Sequence, residues 1–425
     1  MRKVQILIEA VAFGGYGVGR ARGKVVFVPY TVTGDTAWAE MIEEKKNYSM
    51  GRLIEIVDPS PWRVHAPCPY FGTCGGCQWQ HIDYRLHGEL KKTILRETLE
   101  RIGRIKNLPA MDVTLSPKPY DYRVRVQLKV RGQTLGYFRE RSHEIVDIDH
   151  CLISDPLVNQ TIRQLRGEWT AFSQMEEIEI NVSPDEEKGV LILHPLVWNR
   201  DSEDLVRKFF QNHPILKGVA IAARKGLKRW KDPSLHFKVS LHRLGEKKTL
   251  ELRASPLSFF QVNPEQNRRL IETVLEFSEA RKNETLLDLY SGIGNFTLPL
   301  AAEASKATGV EENGLAIEDA QFNAEKNGIR NCDFVHGKVE EVLNNLKERP
   351  DHIILDPPRA GCKTILDQMI GLKPKRIIYV SCDPTTFSRD LRLFAEHGYS
   401  LQRLGLIDMF PQTYHMEVIG LLQQS

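Results

Sequence analysis

No run of apolar residues in this chain approaches the roughly 20 needed to span a bilayer, so no membrane partner is expected. Charge of one sign is lacking too: 58 Lys and Arg face 55 Asp and Glu, a net of +3. Bulk charge therefore does not recruit nucleic acid, and any such contact has to come from local patches. Cysteine is scarce, seven in 425 residues. That excludes the disulfide framework of small secreted domains and points to metal binding or catalysis in a reducing compartment. Glu9 stands where a signal peptide would extend its apolar region, so a cytoplasmic location is expected. No Gly-Lys-Ser/Thr step is present, which excludes a triphosphate cradle. Gly292-x-Gly294 does not complete Gly-x-Gly-x-x-Gly, because Thr297 holds the third position.

What is present is ordinary globular material, 41% apolar and 27% charged, in a chain too long for one core. Residues 1–60 read as all-β, with strand-length runs at 4–8, 24–28, 36–40 and 53–57. Gly14–Gly19, Gly34-Asp35 and Tyr48–Gly51 separate them, which predicts a small barrel of the OB type. The Gly14–Gly19 run reads either as a hairpin loop or as an RNA contact. Pro59, Pro61 and Pro67 mark the boundary.

Residues 61–255 read as a central α/β domain. Over Arg85–Gly103, the residues Leu86, Leu90, Ile94, Leu95, Leu99 and Ile102 recur on one helical face. This helix, spanning about 83–104, is expected to pack on the catalytic domain. Alternation through 120–128 predicts a strand whose Tyr120, Tyr122, Arg123 and Arg125 stack on bases and pair with phosphates. From 160 to 250 no motif carries chemistry. Residues 256–425 alternate strand and helix, with strands at 285–290, 307–311, 333–336, 352–356, 376–381, 401–406 and 416–422. This predicts a doubly wound, Rossmann-like α/β domain with a mostly parallel sheet. Only a short turn joins its last two strands, so the final strand is expected to be antiparallel.

Three strand ends are polar. Cys382 ends the apolar run 377–381 before Pro384, Asp356 ends Ile354-Leu355, and Glu417 closes the turn 408–417. A thiol where a strand opens into a loop is placed to meet a substrate. The segment 286–296 runs from strand into a Gly-rich turn, and the next strand ends in Glu311, 23 residues after Asp288. A carboxylate there accepts hydrogen bonds from both ribose hydroxyls. An acid at Asp288 disfavours a pyrophosphate and suits the cationic methionine moiety of S-adenosylmethionine. These features predict a methyltransferase, with a dinucleotide dehydrogenase as the rival for this domain alone. Separately, Cys68-x5-Cys74-x2-Cys77 and the distant Cys151 supply four thiolates, with Gly72, Gly75 and Gly76 letting the backbone wrap closely. Either a 4Fe-4S cluster or structural zinc satisfies that set, with His150 a rival to Cys151. Cys332 and Cys362 carry no motif and read as structural.

Tyr-Val-Ser-Cys-Asp-Pro (379–384), Asp-Pro-Pro-Arg (356–359), Phe-Phe-Gln-Val-Asn (259–263) and Pro-Gln-Thr-Tyr-His-Met-Glu (411–417) resemble the RNA uracil-5-methyltransferases. The resemblance spans nearly the whole chain. With the TRAM-like barrel and the cysteine cluster, it is greatest to the bacterial 23S rRNA branch. It implies Cys382 as nucleophile, Glu417 as base, and Gln261, Tyr290, Glu311 and Asp356 as S-adenosylmethionine contacts. It further implies a 4Fe-4S cluster on Cys68, Cys74, Cys77 and Cys151, with 23S rRNA as the partner of a monomeric enzyme. A tRNA uracil-5-methyltransferase is the alternative within the class, and a non-catalytic RNA-binding protein on the same fold the alternative outside it. Asp-Pro-Pro-Arg also occurs in exocyclic-amine methylation, but that chemistry needs no Cys382. Three positions depart from the family pattern: Asp383 where Asn is usual, Ser291 where Cys is common, and Lys338 near the adenine position. A carboxylate at Asp383 is expected to raise the pKa of the neighbouring thiol.

Overall fold

The computed structural model describes residues 2–223, 226–242 and 248–424. Five strands at the N-terminus close into a barrel in the order Lys3–Ala12, Tyr16–Ala21, Lys24–Pro29, Tyr48–Asp58, Thr36–Glu44. Period-two alternation fills it: Ile6 and Ile8 are buried while Leu7 between them is 58% exposed. Two segments read as loops are strands. Only Gly14 and Gly15 turn the chain, both at positive φ, and Tyr16–Ala21 pairs on both edges. Gly17 and Gly19 sit in that strand because a Cβ would meet Thr31 Oγ1 at 2.0 Å and the Leu7 carbonyl oxygen at 2.3 Å. Likewise Tyr48–Gly51 begins the strand Tyr48–Asp58. It runs parallel to Lys24–Pro29 and antiparallel to Thr36–Glu44, and barrel closure supplies both partners.

The middle of the chain builds a seven-stranded sheet ordered Gly226–Lys231, Leu216–Ala223, Lys188–Pro195, Met175–Ser183, Arg125–Arg131, Thr134–Phe138, Ile145–Asp147. Its single parallel pairing joins Lys188–Pro195 to Leu216–Ala223, with helix Arg200–Asn212 between them in sequence. Val158, Ile162, Phe209 and Phe210, from the two helices of this segment, are buried in its core. The strand predicted over 120–128 begins only at Arg125. Tyr122 is buried, its hydroxyl donating to the Pro411 carbonyl at 3.0 Å, so it offers no ring to a base. Arg125 is paired with Glu179 at 3.1 Å.

Eight strands form the C-terminal sheet, in the order Cys332–His336, Lys306–Glu311, Thr285–Leu289, His352–Leu355, Arg376–Ser381, Glu417–Gln424, Tyr399–Ile407, Met111–Thr114. The first five run parallel, and Glu417–Gln424 is antiparallel to both of its neighbours. The eighth strand is a surprise from the sequence. Met111–Thr114 lies in the region assigned to the central domain, yet pairs with Tyr399–Ile407 in parallel register. Four residues are too few to show a period, and only the open sheet edge selects them.

Helix Tyr84–Thr98 starts at Asp83, whose carboxylate accepts the Arg85 N–H, and Ile94, Leu95 and Leu99 join the core containing Phe387, Leu391 and Leu404. Its last turn, Leu99–Gly103, is a π turn. The extra residue rotates the face, and Ile102, predicted to lie on the apolar stripe, is 40% exposed.

Candidate active site

Strand direction gathers the polar strand ends. Tyr290 follows the strand ending at Leu289, Glu311 ends its own strand, Asp356 follows Leu355 and Cys382 follows Ser381. All lie at the carboxyl edge of parallel strands, where doubly wound sheets bind ligands at the switch in strand order. Glu417 reaches the same edge by the opposite logic. It begins an antiparallel strand, in which Val418 stands opposite Ser381. Gln261, Tyr290, Glu311, Asp356, Cys382 and Glu417 all line one cavity of about 770 Å³.

One half of the cavity is built from backbone and a carboxylate. Tyr290 at φ 65° and Gly292 at φ 54° turn the chain out of its strand. A Cβ on Gly292 would meet nothing within 4 Å, so the cavity opens directly onto this backbone. Glu311 is held by the Gly292 N–H at 3.0 Å and the Asn313 N–H at 2.8 Å. Its oxygens keep lone pairs for further donors. Asp288 does not take the place the sequence predicted for it. Its carboxyl is buried, does not line the cavity, and accepts the Thr297 hydroxyl at 2.6 Å, while its other oxygen has no partner. Burial pushes its pKa up to about 7. Val339 and Glu340, rather than Lys338, line the wall nearby.

The other half holds the thiol among carboxyls. Burial pushes the Cys382 thiol up to about 11; Glu417 and then Asp356 add to the rise, and the Arg359 guanidinium opposes it. Asp383, predicted to be the disturbing neighbour, contributes least of the named groups. It faces away as the N-cap of helix Pro384–Glu396, accepting the Thr385 and Thr386 N–H groups at 2.8 and 3.0 Å. Burial raises both Asp356 and Glu417. For Glu417 the Asp356 charge adds to the rise and Arg359 again opposes it.

Two further side chains at the cavity, Arg359 and His415, were given no role by the sequence, and Arg123, expected to meet RNA, lines the cavity too. Arg359 closes the Asp-Pro-Pro-Arg motif and His415 stands two residues before Glu417, so the signal was adjacency to assigned residues. Burial lowers the His415 pKa to about 4, leaving a neutral imidazole.

Cys68, Cys74, Cys77 and Cys151 line a second cavity of about 150 Å³, and His150 lines it too. Gly76 and Arg123 border both cavities. His150 is engaged by Asp149 through Nδ1 at 2.5 Å. Among the described residues no group of three or more His, Cys, Asp or Glu converges closely enough to hold a single metal ion. A zinc ion would draw its sulfurs to about 2.3 Å from one point.

Comparison with known proteins agrees with this geometry. The family model described as tRNA (uracil-5-)-methyltransferase matches residues 87–425. An RNA methyltransferase of Aquifex aeolicus, itself described as uncharacterized, is 36% identical over 99% of both chains. One from Caldanaerobacter subterraneus, also described as uncharacterized, is 35% identical over 99% of this chain and 98% of its own. Among solved structures, the Pyrococcus abyssi tRNA (uracil-54, C5)-methyltransferase in complex with S-adenosyl-L-homocysteine superposes with a TM-score of 0.77. It is 25% identical, and the match covers 99% of this chain and 100% of that one.

Proposed function

The chain belongs to the tRNA (uracil-5-)-methyltransferase family of RNA methyltransferases. From that premise we propose that it methylates carbon 5 of a uridine in 23S rRNA through a covalent Cys382–uracil adduct. The observation that carries this is the meeting of Cys382, Asp356 and Glu417 in one cavity with Gln261, Tyr290 and Glu311. A tRNA substrate is the second reading, favoured by the Pyrococcus abyssi neighbour. The four-cysteine cavity supports the rRNA assignment by resemblance.

S-adenosylmethionine, when bound, supplies an electrophilic methyl group. Glu311 takes the ribose hydroxyls, and Gln261, Tyr290 and Asp356 complete its contacts. Carbon 5 of uracil is a poor nucleophile, and the protein makes it a good one. The Cys382 sulfur bonds to carbon 6 as its proton passes to Asp356, leaving Glu417 free to act as base. The ring π electrons move to an enolate, and carbon 5 then takes the methyl group as the sulfur–methyl bond breaks and its electron pair leaves with S-adenosylhomocysteine. Glu417, ionised, removes the carbon-5 proton. The electrons left behind restore the 5,6 double bond and expel the thiolate. A uridine reaches such a cavity only when unstacked from its neighbours, which suits a loop. Cys68, Cys74, Cys77 and Cys151 would hold a 4Fe-4S cluster, a soft-ligand group whose rigidity would shape the wall that Gly76 and Arg123 share with the active cavity.

The test offers tritiated S-adenosylmethionine with unmodified 23S rRNA and, separately, tRNA, followed by mapping of the labelled base. Label at carbon 5 of one uridine is expected from the wild type and none from Cys382→Ala, with cofactor affinity retained. Label in tRNA alone selects the second reading. Transfer to neither RNA, by protein that binds the cofactor, overturns the proposal.

A further inference from the structure

Lys91 is fully buried on helix Tyr84–Thr98, outside the strand-end motifs of the active site. Its ammonium touches Asp408 Oδ1 at 2.5 Å and donates to the carbonyls of His415 at 2.6 Å and Phe410 at 3.4 Å. Asp408 is itself fully buried, and its second oxygen accepts the Tyr84 hydroxyl at 2.8 Å. The acceptors bound by Lys91 span one segment, 408–415, which has no regular secondary structure. That segment supplies Phe410, Thr413 and His415 to the wall of the active cavity and leads into Glu417.

An apolar side chain would fill this interior at less cost, because a buried charge pair loses its hydration and gains little over a well-packed apolar pair. What an ammonium adds is geometry. With three donors it clamps two carbonyls and a carboxylate at once, as no apolar group can. Other groups hold single carbonyls of this segment, Asn263 that of Met409, Tyr122 that of Pro411 and the Gln78 and Trp79 N–H groups that of Gln412, whereas Lys91 ties Asp408, Phe410 and His415 to one point. The cofactor half of the cavity, at Gly292 and Glu311, is held by its own backbone contacts and has none with Lys91.

We infer that Lys91 is a positioning residue for the target base: by clamping segment 408–415 it sets the wall against which the uracil meets Cys382. This rests on the proposed covalent reaction and adds a residue to it. Lys91 touches no reacting atom. Its removal therefore slows adduct formation while leaving the cofactor half intact.

The experiment uses full-length protein with a 5-fluorouridine-substituted transcript of the RNA that accepts label. Fluorine at carbon 5 cannot leave as a proton does, so the methylated adduct persists and is counted on a denaturing gel. Lys91→Met is expected to slow adduct formation by about 10²-fold, the loss typical of a misplacement near 1 Å. Affinity for S-adenosyl-L-homocysteine should stay within about twofold. Lys91→Met also strands the Asp408 charge and lowers the thermal midpoint. The double variant Lys91→Met/Asp408→Asn removes that charge and should regain thermal midpoint while adduct formation stays slow. If the double variant regains both together, the lysine was only structural and the inference fails. Wild-type adduct rates in either variant, or loss of cofactor affinity in parallel, also overturn it. If the wild type itself forms no adduct, the covalent reading fails and this inference with it.

Discussion

The resting state of Cys382 can be measured without any RNA. With its pKa near 11, about one thiol in 10⁴ is ionised at pH 7. A free thiol of pKa about 8.5 is ionised to about 3%, some 300-fold more. The scarcer thiolate is the stronger nucleophile, and with a Brønsted slope of 0.4–0.5 the difference in pKa returns about tenfold. Cys382 should therefore react with iodoacetamide about 30-fold more slowly than a free thiol at pH 7, before any loss to partial burial. Its rate should climb close to tenfold per pH unit from 6 to 10. Alkylation of the peptide containing Cys382, followed by mass spectrometry across that range, gives the profile and separates it from the other six cysteines. Glu417→Gln should shift the midpoint downward, because Glu417 is the largest cause of the rise after burial. Asp383→Asn should leave it nearly in place, because that side chain caps a helix, a role Asn also fills. A fast, pH-independent reaction between 6 and 8 would refute the protonated resting thiol. It would mean that Arg359 outweighs burial and the two carboxyls.

Glu417→Gln should accumulate the methylated RNA adduct, seen as a band shift on a denaturing gel; a slow variant with no adduct would move the base to another residue. Asp288 makes stability depend on pH. Its folded pKa of about 7 lies above the unfolded value, so the folded state keeps a proton that the unfolded chain releases between about pH 4 and 7. Stability therefore falls as pH rises through that window, by up to about 4 kcal/mol. Asp288→Asn should flatten the decline, read as thermal midpoints at pH 5 and pH 8; an unchanged slope would show that the carboxyl is ionised in place. Protein purified without air should be brown and carry about four irons per chain, with both lost in Cys77→Ser. A colourless protein loaded with zinc would refute the cluster.

Much of the C-terminal sheet was legible because its strands are short apolar runs ending at a turn or a polar residue, as Arg376–Ser381 ends at Cys382. A strand end fixes which edge of a parallel sheet its next residue reaches, so Tyr290, Glu311, Asp356 and Cys382 were legible as neighbours. The four thiols were legible from type and spacing for three of them, and from type alone for Cys151. The barrel was legible as a barrel, but Tyr16–Ala21 and the start of Tyr48–Asp58 were not, since glycines in a strand look like loop until a partner packs over them.

Residue type and local period thus determined the thiol, the carboxyls and the direction of the strands that carry them. Tertiary structure decided what each of those groups faces. Asp383 is adjacent to Cys382 in sequence, yet it turns to a helix N-terminus, because unpaired backbone N–H groups compete for its oxygens. Lys91 and Asp408 are 317 residues apart and in direct contact. Met111–Thr114 became a strand only because Tyr399–Ile407 offered it an open edge. Hydrogen bonds and burial reach across the chain, and their partners are written in no window of neighbouring residues.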